Sequence, residues 1–487
     1  MTDPTIASRP EHARAFDRRR FLGGAGVSIA RIAAASLLAG SASGARTLPG
    51  REEGARIATS RGPHFRPRAQ RVIQLFMGGA PSQLELFVDK PLLTRHEGRP
   101  LPPSVLGDQR YAFIRLDAAV LGPRFRFREV GESRTTISEV LPHLARVVDR
   151  LTFVHSVYTD QFNHAPAQTF FQTGFSLPGR PSFGSWVQYG LGSLADDLPA
   201  YVVLSTGSGL SGGAALYSSG FLPQRFAGTR LRSKGAPILA LENPRGVDAE
   251  LQADTLDAIT ALQRIRLERQ GDPGIDASIA SMEMAARLQV SAPELIDLRS
   301  ESEETLALYG CDPAEPSFAR ACLLARRMVE RGVRFVTLYH EGWDAHSDVE
   351  GNVRGKALQT DQACAALILD LERRGLLDDT LVVWGGEFGR TPMVETNPAL
   401  GRALGRDHHP QAFTMWFAGG GMRPGFHLGA TDDFGFHVTE DPVHVHDVQA
   451  TLLACLGLDH ERLTYRHAGR DFRLTDVHGR VVREILA

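Results

Sequence analysis

Apolar positions in this chain fall into short blocks separated by turn residues and by longer helical patterns. Arg71–Met77 (RVIQLFM), Leu151–Val157 (LTFVHSV) and Tyr201–Ser205 (YVVLS) are blocks of five to seven residues rich in β-branched and aromatic side chains, and they predict buried strands. Residues 248–270, 275–290 and 293–309 show helical spacing with charges on most turns, which predicts surface helices. The pattern then becomes regular. A helix over 317–331 leads to strand Arg334–His340 (RFVTLYH), and a helix over 355–375 leads to strand Thr380–Trp384 (TLVVW). Strand Ala412–Phe417 comes before a helix over Asp447–Leu456. Predominantly apolar strands alternating with helices predict an α/β protein with a mostly parallel central sheet covered on both faces. No linker or repeat interrupts the pattern, so residues 71–487 are expected to form one domain, with 46–70 as an extended leader.

The N-terminus changes the compartment. Asp17-Arg18-Arg19-Arg20-Phe21-Leu22 carries the paired arginines of a twin-arginine export signal, followed by an apolar stretch from Gly23 to Gly40. Arg31 and the many small residues argue against a membrane span. Residues 1–45 therefore read as a removable signal, and the mature protein is expected in the periplasm or outside the cell. The four cysteines, Cys311, Cys322, Cys364 and Cys455, could form up to two disulfides there. Cys322, Cys364 and Cys455 sit in apolar helical patterns, which favours buried thiols.

Composition narrows the function. The 487 residues are 43% hydrophobic and 23% charged with a formal charge of −2, which excludes an electrostatically driven nucleic-acid binder. Histidine is uneven. Eight of the 17 lie between His340 and His446, and clustered imidazoles are what a metal site needs.

In α/β sheets the ligand site lies beyond the carboxyl ends of the strands. After the first strand come Gly78, Gly79, Ser82 and Glu85, and after the second come Asp160, Asn163 and His164. Strand 334–340 is followed by Glu341-Gly342-Trp343-Asp344-Ala345-His346, and strand 380–384 by Gly385-Gly386-Glu387-Phe388-Gly389-Arg390. Arg406-Asp407-His408-His409 precedes strand 412–417. Singly, each could cap a turn or decorate a loop. Together they supply carboxylates and imidazoles at one sheet edge, the donors of a divalent cation site.

These segments resemble the DUF1501 family of exported bacterial proteins. The resemblance rests on Gly78–Pro91 (GGAPSQLELFVDKP), Phe162–Gly174 (FNHAPAQTFFQTG), Gly342–Ser347 (GWDAHS), Glu387–Pro392 (EFGRTP) and the tail from His446. That family is similar to the alkaline phosphatase/sulfatase superfamily, which implies an alkaline phosphatase-like three-layer sandwich and metal-assisted cleavage of phosphate or sulfate esters. His164 occupies the nucleophile position of the sulfatase signature, and Gln168 replaces its arginine. Asp344 and His346 resemble a ligand pair, Glu387 a third ligand, and His408 or His409 a final one. The strand-1 aspartate is missing at Met77 and Gly78, with Glu85 the nearest acid, and no Ser, Thr or Cys stands at 164.

The reading that follows is an exported metal-dependent ester hydrolase of sulfatase or phosphatase type. Asp344, His346 and one of His408 and His409 would hold a divalent metal, Zn by its imidazole share, as one or two ions. Glu387 and Asp407 would complete that site or a second. His164 would serve as nucleophile, ligand or general acid. Arg390 would pair with the anionic substrate or hold Glu387, and Asn163 and Gln168 would donate hydrogen bonds to developing charge. The expected substrate is an anionic ester, with a sulfated or phosphorylated glycan among the candidates. The alternative is a non-catalytic exported binding protein that keeps the fold, with or without a structural metal.

Overall fold

The computed structural model describes residues 62–107, 117–207, 209–231 and 246–487. The expected export signal and most of the expected leader lie outside these residues. Contacts divide the chain into two units. The described part of the first, residues 246–282, contains helix Ala249–Gln270 and the start of helix Pro273–Ile296. The break expected before residue 293 does not occur, because that helix runs through Pro293 to Ile296. A proline removes one ladder bond, and here it does so only in the last turn.

The second unit is built on a central sheet. Its first half contains β1 (Arg71–Gly78), α1 (Gln83–Leu86), β2 (Leu151–Tyr158), α2 (His164–Thr173), α3 (Phe183–Leu191), β3 (Tyr201–Thr206) and β4 (Thr229–Arg230). Then follow α4 (Phe318–Glu330), β5 (Phe335–Glu341), α5 (Val349–Arg373), β6 (Thr380–Gly385), β7 (Gly389–Asn397) and β8 (Arg402–His409). The chain closes with β9 (Phe413–Ala418), β10 (Phe426–Leu428), β11 (Val443–His444) and α6 (Val445–Cys455). The sheet order is β10-β2-β9-β6-β1-β5-β3-β4, with β11 also on β2. Every pairing is parallel except those of β9, which runs antiparallel to both β2 and β6.

Alternation along β1 shows why its buried run is apolar at every position but Gln74. Ile73, Leu75 and Met77 pack on one face with Cys322 and Leu323 of α4 and Leu367 and Ile368 of α5. Val72 and Phe76 pack on the other with Trp186 of α3 and Leu452 of α6. Side chains of a strand alternate between faces, so a strand covered on both is apolar at nearly every position. The α/β architecture with a mostly parallel, doubly covered sheet is thus the one expected. All four cysteines are buried and free. No helix among the described residues is long and apolar enough to cross a membrane.

The antiparallel strand has a cause. After β6 the chain does not cross over through a helix. It leaves the carboxyl edge as the hairpin β7–β8 and comes back to that edge before entering β9. Residues 406–409 therefore sit at the edge where β1, β2, β5 and β6 end, although they precede their strand in sequence.

Candidate metal centre

Each contributing segment is held before any ligand is considered. Gly78 of β1 is in register with Glu341 of β5, and the chain turns at Gly79, where φ is +104° and an added Cβ would lie 2.6 Å from the Asp344 backbone nitrogen. Only glycine lets the two loops approach so closely. Strand β8 bulges between Arg402 and Gly405 and again between Arg406 and His408. There it pairs with the loop after β5: Arg406 N–H donates to Ala345 O at 2.9 Å, and Asp348 N–H donates to Ala403 O at 2.9 Å. Those bonds bring His408 beside His346. Gln83 of α1 grips the Arg390 backbone from both sides, at 2.9 Å each way.

Four side chains converge. His164 Nε2 lies 3.1 Å from Asp344 Oδ1, His346 Nε2 lies 3.0 Å from the same oxygen, and His408 Nε2 lies 3.4 Å from it. His346 Nε2 and His408 Nε2 are 3.0 Å apart. One ligand atom from each of the four residues falls within 4.8 Å of all the others. With metal–ligand bonds of ~2.0–2.1 Å, a tetrahedral site has edges of roughly 3.3 Å. The three distances to Asp344 Oδ1 cluster about that value.

The far nitrogen of each imidazole is engaged. His164 Nδ1 meets Glu387 Oε1 at 2.6 Å, His346 Nδ1 meets Glu395 Oε2, and His408 Nδ1 meets Phe162 O at 2.8 Å. Acceptors on all three Nδ1 atoms hold the proton there and leave the Nε2 lone pairs facing one point, the arrangement that orients metal-binding histidines. Glu387, fully buried, also accepts from Gly79 N–H and Gln168 Nε2, both at 3.0 Å. His164 and Gln168 are one helical turn apart on α2, so they reach the same carboxylate.

Charge follows the geometry. Burial opposes a charge on His164, but the Asp344 and Glu387 carboxylates outweigh it and push its pKa up to about 9. His346 is likewise raised against its burial by Asp344 and Glu395. Burial drives His408 down to about 4, so it is neutral near pH 7. Despite burial, the three imidazoles and Arg390 hold Asp344 well below the usual carboxylate range. The carboxylates thus make the cluster a place that favours positive charge, which a divalent cation would supply. The donor set, one carboxylate oxygen and three imidazole nitrogens, suits Zn²⁺ or a similar ion.

The structure brings together some sequence-predicted residues and separates others. Asp344, His346, His408 and His164 meet. Glu387 stands behind His164, with only its Oε1 in hydrogen bonds. Asp407 lies on the other side of His346 in a second group with Glu395, and burial raises its pKa to about 6. His409 turns away, its Nε2 meeting Phe436 O at 2.6 Å. Adjacent residues of a strand point to opposite faces, so His408 and His409 cannot share a site. Arg390 does not reach Glu387. It donates to Asp344 Oδ1 at 2.6 Å, to Ala80 O and Arg406 O at 3.0 Å, and to Gly79 O. Asn163 is the exposed residue before α2, and its side chain makes no cap. Gln168 spends its amide on Glu387 and on Gly212 N–H.

Sequence reasoning passed over Glu395. Its signal was there, a single acid inside the apolar alternation of GRTPMVETN, but only a strand assignment for 389–397 would have marked it as inward-facing.

No curated protein matches the chain in sequence. Similar solved structures include Ps i-CgsB with k-i-k-neocarrahexaose, at 11% identity and TM-score 0.36 over 80% of this chain and 72% of that one. The PsFucS1 sulfatase from Pseudoalteromonas sp. aligns at 11% identity and TM-score 0.34 over 90% of this chain and 72% of that one. A TAB5 alkaline phosphatase mutant with Mg bound aligns at 10% identity and TM-score 0.31 over 80% of this chain and 99% of that one. The family described as "Protein of unknown function (DUF1501)" matches residues 69–486, and the chain belongs to that family.

Proposed function

We propose that this protein is a metal-dependent hydrolase of phosphate or sulfate esters, exported by the twin-arginine pathway. The observation that carries the reading is the convergence of three Nε2 atoms, each with its Nδ1 held by an acceptor, on Asp344 Oδ1. His164, Asp344, His346 and His408 would hold one divalent cation, with Zn²⁺ favoured. Such an ion, when bound, would polarise an ester oxygen and lower the pKa of a bound water toward ~7. The chain's own groups prepare the place. Arg390 fixes Asp344, and Glu387 and Glu395 fix two of the imidazoles. Asp344 is 39% exposed at its side chain, so the cluster opens to solvent on that side.

His164 itself favours a second reading, an exported binding protein with a structural metal. Its Nδ1 is held by Glu387 and its Nε2 faces Asp344, so neither nitrogen is placed to attack a substrate. Metal analysis of the exported protein, with turnover of p-nitrophenyl phosphate and p-nitrophenyl sulfate, separates the two. The hydrolase reading expects one bound metal and turnover, both lost in Asp344→Ala. Bound metal without turnover of either ester supports the binding protein, and absence of metal defeats both.

A further inference from the structure

At the β10 edge of the sheet lies a cleft of about 570 Å³ that shares no residue with the metal cluster. It is framed by the Asp89-Lys90 turn, by the hairpin of strands Phe127–Val130 and Thr135–Ser138, and by His155 of β2 and His427 of β10. Its volume is that of a small-molecule site. We propose that this cleft binds the ring of a neutral sugar, independently of any metal and of the ester-hydrolase reading.

The two imidazoles are joined. His155 Nε2 meets His427 Nδ1 at 3.0 Å, with ring centroids 5.3 Å apart and planes 8° apart. That separation is the bond plus the two ring radii, so the rings lie edge to edge in one plane. Their other nitrogens are engaged too: His155 Nδ1 meets Thr414 Oγ1 at 3.3 Å, and His427 Nε2 meets Thr135 Oγ1 at 2.8 Å. One carboxylate sets the direction of the whole row. Ser133 Oγ–H donates to Asp149 Oδ1 at 2.7 Å, so Thr135 donates to Ser133, and His427 Nε2–H donates to Thr135. His155 Nε2–H then donates to His427, and Thr414 to His155. Burial keeps both rings neutral, pushing His155 down to about 3 and lowering His427. With every nitrogen bonded within the protein, the two rings offer the cleft only carbon and π surface. They form a flat apolar plate.

The rim carries charges of both signs. Lys90 Nζ donates to Thr431 O at 2.9 Å, one of the three bonds an ammonium can make. Asp89, Asp432 and Asp433 act on it from close by, and the Arg134 guanidinium is held by Glu129 at 2.7 and 3.0 Å. An anion in the cleft would meet three carboxylates and one ammonium. A purely aromatic ring would displace water from Asp89 and Lys90 and give them nothing in return. A pyranose meets both demands. Its C–H face is apolar and can lie on the plate, while its hydroxyls accept from Lys90 and donate to Asp89.

Ligand-observed NMR of the full chain with the methyl glycosides of glucose, galactose, mannose and fucose tests this. At least one should bind, with saturation transferred mainly to the C–H protons of one ring face, and binding should persist in EDTA. Lys90→Ala and Asp89→Asn, both at the solvent rim, should each weaken that Kd roughly tenfold, the strength of one charged hydrogen bond, with metal content unchanged. His427→Leu breaks the plate and should abolish the transfer. Absence of binding by all four glycosides, or a Kd unmoved by both rim substitutions, overturns the proposal. Equally strong competition by benzyl alcohol or by inorganic sulfate overturns the sugar as the ligand class. Loss of binding in EDTA overturns it as well, by moving the sugar to the metal cluster.

Discussion

Strand β8 carries two buried charge clusters two residues apart, and they are built on opposite logic. Arg406, fully buried, donates to Glu85 Oε1 through Nε at 2.9 Å and Nη2 at 2.8 Å, and to the carbonyls of Thr391, Leu121 and Gly122. Glu85 Oε2 accepts from Arg124 N–H at 2.7 Å. Each side-chain nitrogen of Arg406 meets an acceptor, and its charge meets that of Glu85. Around His408, three Nε2 atoms and one carboxylate oxygen face one another, and the groups behind them present acceptors to the Nδ1 atoms. The first cluster is complete with the atoms of the chain. The second leaves three imidazole nitrogens facing one carboxylate oxygen and is the one that a cation could complete. Burial and charge are common to both, so neither marks a functional site. The matching of donors to acceptors does.

Breaking the closed cluster should have the largest effect, and on stability alone. Glu85→Ala leaves Arg406 buried without its partner and should cost ~3–5 kcal/mol in urea unfolding, while the folded fraction keeps its metal. Loss of metal from that fraction would mean that the two clusters are one unit. Metal addition probes the open cluster directly. At about 100 times its Kd, Zn²⁺ should stabilise the wild type by about 2.7 kcal/mol and Asp344→Ala by nothing, as a thermal-shift titration would read. An equal shift in Asp344→Ala would place the ion elsewhere.

Removing the groups behind the imidazoles should weaken metal without unfolding the protein. Glu387→Gln and Glu395→Gln each should lower affinity by about 10–100-fold in a competitive chelator assay. Unchanged affinity in both would reduce these carboxylates to ordinary buried ion-pair partners. The smallest effect belongs to His409. His409→Leu removes the bond to Phe436 O and should cost ~1–2 kcal/mol of stability with metal affinity unaltered. A fall in metal affinity comparable to that of His408→Leu would reverse the assignment of the two neighbours.

Much of the site was legible because its ligands flank strands that announce themselves. Asp344 and His346 follow a run of apolar residues that could only be buried, and the edge where they emerge is where α/β proteins gather polar groups. His164 was legible as a site residue, but its contact with Glu387 was not, since 223 residues separate them. Glu387 stands behind His164 and Asp407 in the second group with His346 and Glu395, a division that sequence cannot make because an acid next to a strand end looks the same in either place. Glu395 escapes the sequence reading, and the pairing of Arg390 with Glu387 offered there is replaced by one with Asp344, for one reason: the apolar pattern assigns no strand to residues 389–409, so their inward and outward positions stay undefined.

The sequence by itself determined which strands are covered on both faces, that they are mostly parallel, and that carboxylates and imidazoles collect at one edge. Those follow from local patterns of burial, repeated every two residues along a strand and every three or four along a helix. Tertiary structure alone decided that the hairpin turns back to make β9 antiparallel, that His408 faces the cluster and His409 does not, and that Asp344 is the oxygen on which three imidazoles meet. Such choices depend on register and on bulges in β8. A shift of one residue there would exchange the two faces of the strand while leaving the composition of the edge unchanged.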